Sequence, residues 1–184
     1  MKRIWALVFT VLFLSGCGGE ADSMDRALAL RQRIQESGCA FTATVHADYE
    51  EAVQSFVLRC RADQAGEVAF EVLSPEEISG ITGSVHGEKG KLTFDDRVLV
   101  FDTLADGQLA PVTAPWVLVH TLRSGYIVSC GSEGSGLILS IDDSYREDSL
   151  RLEIRVEQDV PVSAEILWQG RRILSMRIEN FHFV

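Results

Sequence analysis

The stretch CAFTATVHADYEEAVQSFVLRC, residues 39–60, decides how this chain is read. Apolar and polar residues alternate on both sides of a polar patch at 48–51, the pattern of two antiparallel strands joined by a turn. A two- or four-residue loop there sets Cys39 opposite Cys60, Phe41 opposite Leu58, Ala43 opposite Phe56 and Val45 opposite Gln54. That face is mostly apolar, whereas Thr42, Thr44, His46, Ser55 and Arg59 make the other face wet. A one-residue slip would mix the two faces. In this register the cysteines occupy a non-hydrogen-bonded pair, where Cα atoms lie about 4.5 Å apart, at the short end of the disulfide range. A Cys39–Cys60 bridge is therefore one expectation, and two buried, reduced thiols are the other.

Upstream of this hairpin, SMDRALALRQRIQES (23–37) reads as one helix, with Ser23 as its cap, Asp25 in its first turn and Gly38 as its stop. Met24, Ala27, Leu28, Leu30, Arg31 and Ile34 approximate its apolar stripe. Downstream, strands follow at short spacing. Val68, Phe70 and Val72 alternate with polar neighbours until Pro75 stops the run. HGEKGK (86–91) is a hairpin loop with two glycines, Leu92 and Phe94 alternate up to Asp95-Asp96, and 98–101 is the next strand. DTLADGQLAPVTAP (102–115) has no periodicity and reads as a loop. PWVLVHTLRSG (115–125) predicts a second, short helix with Pro115 at its start and Gly125 at its end. Five closing strands follow, with a hairpin turn at Gln169-Gly170. The expectation is mainly β (α+β), with ten or eleven antiparallel strands and two helices. A sheet that large must curl, and each strand has one apolar face. The helices are the natural cover for its concave side.

The chain opens on Lys2 and Arg3, then an apolar run over 4–14 broken only by Thr10. That run is too short to span a bilayer, which takes about 20 apolar residues, but it suits the h-region of a secretory signal. Leu14-Ser15-Gly16-Cys17 then resembles the lipobox of bacterial lipoproteins. The resemblance implies cleavage before Cys17, a diacylglyceryl group on its thiol and an N-acyl chain on its amine. The domain reading is thus a signal peptide at 1–16, the lipidated Cys17 with a flexible tether to residue 23, and one domain at 24–184. Without residues 1–16, 168 residues remain, with 15 Lys and Arg against 27 Asp and Glu, a formal charge of −12. Such an acidic chain lacks the clustered basic groups that hold nucleic acid. It also gains little from an anionic bilayer by charge, so the membrane partner is reached through lipid. Removing Cys17 leaves three cysteines, and Cys130, in the glycine-rich SCGSEGSG (129–136), becomes the odd one: unpaired, bridged to Cys39 or Cys60, or bridged to another chain.

The order of these pieces carries a second resemblance. A helix leads into FTATV (41–45). GEVAFEVLSPEEI (66–78), a glycine turn at GEKGKLTF (87–94), a loop, APWVLVHTLRSG (114–125) and five strands follow. Over most of 24–184 this is similar to the LolA/LolB-like lipoprotein carrier superfamily, including the LolA-like GerS-type lipoproteins of spore-forming bacteria. The resemblance implies an unclosed β-barrel with helices as a lid over an apolar cavity. Two positions depart from the family: Ser74 stands where the soluble carrier has a basic residue before the proline, and no strongly apolar loop matches the membrane-entering loop of the anchored acceptor.

No residue set points to catalysis. His46, His86, His120 and His182 sit in no motif, and Ser129-Cys130-Gly131-Ser132 lacks the strand–elbow–helix context of a nucleophile. No spacing suggests zinc, and neither Asp95-Asp96 nor IDDSYRED (141–148) has the calcium-loop pattern, so no metal or other cofactor is expected. Trp116, Leu118, Val119 and Leu122 of the second helix, with Phe70, Phe94, Phe101 and Trp168 of the strands, either line a cavity for an acyl chain or fill a core. The function expected is non-catalytic: an envelope module, anchored on the outer leaflet, that binds a lipid or a protein. The alternative is an adaptor with a filled core that tethers an envelope enzyme.

Overall fold

A computed structural model describes residues 18–49, 52–95, 97–105, 108–147 and 149–184. Cys17 and the segment at 1–16 read as a signal peptide lie outside the described residues. Helix α1 (Gly18–Glu36) leads into β1 (Cys39–Tyr49) and β2 (Ala52–Ala62), the hairpin read first from the sequence. Then come β3 (Val68–Ser74), β4 (Thr82–His86), β5 (Lys89–Phe94) and β6 (Arg97–Asp102). The stretch read as a loop holds a two-stranded ribbon, β7 (Leu104–Ala105) with β8 (Gln108–Leu109), and a 3-10 turn at Pro111–Thr113. Helix α2 (Ala114–Ser124) follows, and β9 (Tyr126–Glu133), β10 (Gly136–Asp142), β11 (Leu150–Glu157), β12 (Val160–Trp168) and β13 (Arg171–Phe183) complete the chain.

Eleven strands form one antiparallel sheet in the order β6-β5-β4-β3-β2-β1-β13-β12-β11-β10-β9. Two meanders, β1–β6 and β9–β13, meet where the first strand pairs with the last, Cys39 opposite Phe183. The edges β6 and β9 do not pair, so the barrel stays open. Residues 103–125 link the two halves, and their helix α2 packs on the apolar face of the sheet. Alternation is cleanest in β11, where Leu150, Leu152, Ile154 and Val156 are buried and the residues between them are exposed. Glycine makes room where rings cross strands. A Cβ on Gly83 would sit 2.6 Å from the Phe70 ring, and one on Gly90 would strike the Phe101 ring.

Three details correct the sequence reading. The β1–β2 register sets Phe41 opposite Cys60, Ala43 opposite Leu58 and Val45 opposite Phe56, with Cys39 opposite Ala62. The pairing is two residues away from the expected one because both strands run on to Tyr49 and Ala52, leaving a two-residue link. A shift of two keeps every side chain on its own face, so the apolar pattern could not distinguish the registers. Cys39 and Cys60 are thus diagonal neighbours, a relation of about 7–8 Å, wider than a disulfide spans without backbone movement. Both are buried free thiols rather than a bridge. Burial pushes the Cys39 thiol up to about 11 and raises that of Cys60 further. Cys130 lies within strand β9, with the turn after it at 134–135.

The second correction is in α1, which starts at Gly18, so residues 18–22 are helix rather than free tether. Ser23 is 1% exposed inside it rather than capping it. The third is the helix's apolar stripe: Ser23, Ala27, Leu30 and Ile34 face the core, while Leu28 is 47% exposed.

Candidate functional site

The eight residues expected along a cavity divide into three groups. On α2, Leu118, Val119 and Leu122 are buried to 2% exposure or less. Trp116 is half-buried and stacks on His120, ring centroids 4.7 Å apart. On the strands, Phe70 is buried, and Phe101 and Trp168 are partly so. Phe70, Leu118, Val119 and Leu122 join one continuous hydrophobic core with Leu58, Val72, Leu152 and Ile166, and Trp116 and Trp168 pack against it, whereas Phe101 stands outside this cluster; the sheet beneath α2 is thus packed with side chains. Phe94 is different: it follows the inward-facing parity of Leu92 but stands beyond the helical cover, 57% exposed.

The open flank continues onto β6, which the sequence analysis read only as a strand. Leu99 lies opposite Leu92 and follows the inner face, and Val98 and Val100 follow the outer face opposite Thr93 and Lys91. The three are 62%, 63% and 56% exposed. The signal was present in RVLVFD: a run of four apolar residues without alternation belongs to a strand covered on both sides. Here it sits at an edge of the sheet with neither face covered. On the outer side, β2–β5 carry Arg59, Arg61, Glu71 and Lys91 along a shallow groove of about 700 Å³, with an Arg59–Glu71 ion pair at 2.7 Å.

A second groove, about 590 Å³, runs between α1 and β9, with Met24, Leu28 and Arg31 on one wall and Tyr126, Val128 and Tyr145 on the other. Sequence reasoning passed over the two tyrosines because their contact, ring against ring, joins a strand to a distant loop.

Among the described residues no group of three His, Cys, Asp or Glu could hold a metal. His46, His86 and His182 are exposed. His120 is held below its usual pKa, chiefly by burial, with Asp143 opposing. Asp143 is raised, also chiefly by burial, while its Oδ1 accepts the Leu150 N–H at 2.9 Å. Asp142 is held by Arg151 at 2.7 and 3.0 Å.

No protein-family model matches the chain, and no curated protein matches it. Solved structures do. A putative outer membrane lipoprotein-sorting protein domain from Vibrio parahaemolyticus aligns at TM-score 0.49 and 8% identity over 89% of this chain and 92% of that one. A LolA superfamily protein from Nitrosomonas europaea aligns at 0.45 and 8%, covering 86% and 93%. The GerS lipoprotein of Clostridioides difficile, in its complex with the CwlD amidase, aligns at 0.44 and 14%, covering 85% and 93%. What carries the fold assignment is the chain's own architecture, an unclosed eleven-stranded antiparallel sheet with two helices.

Proposed function

We propose that the chain is a non-catalytic, lipid-anchored adaptor of the cell envelope that takes a protein partner along β6. The observation that carries this reading is the contrast between a packed interior under α2 and an uncovered apolar edge strand. A lipid held in the concave side would need apolar groups on the inner face alone. Strand β6 presents Leu99 on that face and Val98 and Val100 on the other, with its backbone edge unpaired. That combination suits a protein segment adding to the sheet: main-chain groups extend the ladder, and side chains meet apolar residues above and below it. The anchor on Cys17 and the outer-leaflet location follow from the lipobox-like Leu14–Cys17 and belong to the same proposal.

A photo-crosslinking residue in place of Val98, in cells, tests it. The expected result is one discrete protein adduct, lost in Val100→Lys while the melting temperature is unchanged. Absence of any adduct, or one indifferent to Val100→Lys, overturns the reading.

Lipid carriage is the second reading. It is favoured by Phe94, Leu99 and the half-buried Leu92, apolar side chains that share the inner-face parity of β5 and β6. Native mass spectrometry of the chain lacking residues 1–17 separates the two. Lipid that co-purifies and is lost on Leu99→Asp supports carriage, and an empty protein supports the adaptor.

A further inference from the structure

Helix α1 carries two rows. Ser23, Ala27, Leu30 and Ile34 pack into the core. Met24, Leu28 and Arg31 form the second row, along the groove against β9. The apolar groups around that groove are open to solvent: Leu28 is 47% exposed, Tyr126 39%, Val128 51% and Tyr145 83%. A patch of this kind on a small domain needs a cover.

The start of α1 says which cover. The described helix begins at Gly18, one position after the residue read as the anchor. Met24 and Leu28 follow Cys17 by seven and eleven positions. Along the helix axis Met24 and Leu28 lie only about 9 and 15 Å from Gly18, the first described residue of α1. The exposed row therefore lies close to the end of the helix at which the anchor is read.

We propose that the α1–β9 face lies on the bilayer, with α1 along the interface and Leu28, Tyr126, Val128 and Tyr145 among the headgroups. The proposal rests on the lipid-anchor reading of Cys17. Aliphatic and aromatic side chains with polar tips partition to that depth. The rim carries Arg31 and Arg146, and its Asp142 is already held by Arg151.

The test uses the full lipidated chain in vesicles of phosphatidylethanolamine and phosphatidylglycerol. Benzoylphenylalanine replaces Tyr145, Leu28 or, as a control, Arg177, which is exposed on β13. The mass of the N-terminal peptide is read in the same sample. The expected result is a diacylglyceryl-modified Cys17 with several-fold more phospholipid adduct at Tyr145 and Leu28 than at Arg177. A modified Cys17 with equal adduct at all three positions overturns the bilayer-facing face and leaves the anchor standing. An unmodified Cys17 overturns both.

Discussion

Arg31 and Arg123 cap each other's helices. Arg31, on α1, donates from Nε to the Leu122 carbonyl at 2.9 Å and from Nη2 to the Gly125 carbonyl at 2.7 Å, at the end of α2. Arg123, on α2, donates from Nη1 to the Ile34 carbonyl at 2.7 Å, in the last turn of α1, and from Nη2 to the Gln64 carbonyl at 2.8 Å. Each cation satisfies carbonyls that helix ends leave without partners, and each sits at the negative end of the other helix.

Removing either fork leaves part-buried carbonyls unpaired. Arg31→Ala and Arg123→Ala are each expected to lower stability by about 1.5–3 kcal/mol, read as a lower urea midpoint at unchanged slope. Lysine at either place should recover only part of the loss, because one ammonium does not reproduce the planar fork. A double mutant whose cost equals the sum of the singles would show that the two caps act independently.

Non-reducing peptide mapping is expected to return no Cys39–Cys60 bridge. In native alkylation at pH 8, half-buried Cys130 should label first. Cys39, with its thiol pushed up to about 11 and only 1% exposed, and Cys60 should label only on unfolding. A recovered Cys39–Cys60 disulfide would mean that the β1–β2 ladder slides by two residues from the register seen here.

Gly90→Ala places a methyl against the Phe101 ring. Crowding of this kind costs about 1–3 kcal/mol, measured by thermal or urea unfolding. Phe101→Leu in the same chain should return part of that loss. If Gly90→Ala is neutral, the ring does not rest on Gly90.

His120 sets one pH dependence. Its folded pKa is lowered, so between that value and the ordinary 6.5 the unfolded chain binds more protons than the folded one. Its contribution is fully present above pH 6.5 and declines as pH falls through the folded pKa. Asp143 acts oppositely: its folded pKa is raised above 3.8, so its contribution declines as pH rises through that window. An NMR titration should place the His120 imidazole below 6.5. In His120→Gln, the slope of stability against pH just below 6.5 should flatten.

The strand faces were legible wherever one face is wet. Leu150 to Val156 announced its buried side residue by residue, and Pro115 and Gly125 marked α2 to within one position. The hairpin at 39–60 was legible as a hairpin, but its register was legible only to a multiple of two. On α1, both the core row and the exposed row with Met24 and Leu28 contain apolar residues, so the sequence presented them as one imperfect stripe. Phe94 and Phe101 were read as lining a cavity or filling a core, and 98–101 only as a strand, because nothing local tells a strand that it will stand at an edge.

Local chemistry, then, determined the elements, their faces, the acidic surface and the lipobox-like Cys17, since each depends on residues a few positions apart. Tertiary structure decided the pairing of Cys39 with Ala62, the filling of the space under α2, the arginine forks joining two helices and the exposure of β6. Those outcomes depend on contacts between residues far apart in the chain, where the competing arrangements share the same local pattern and differ only in what they pack against.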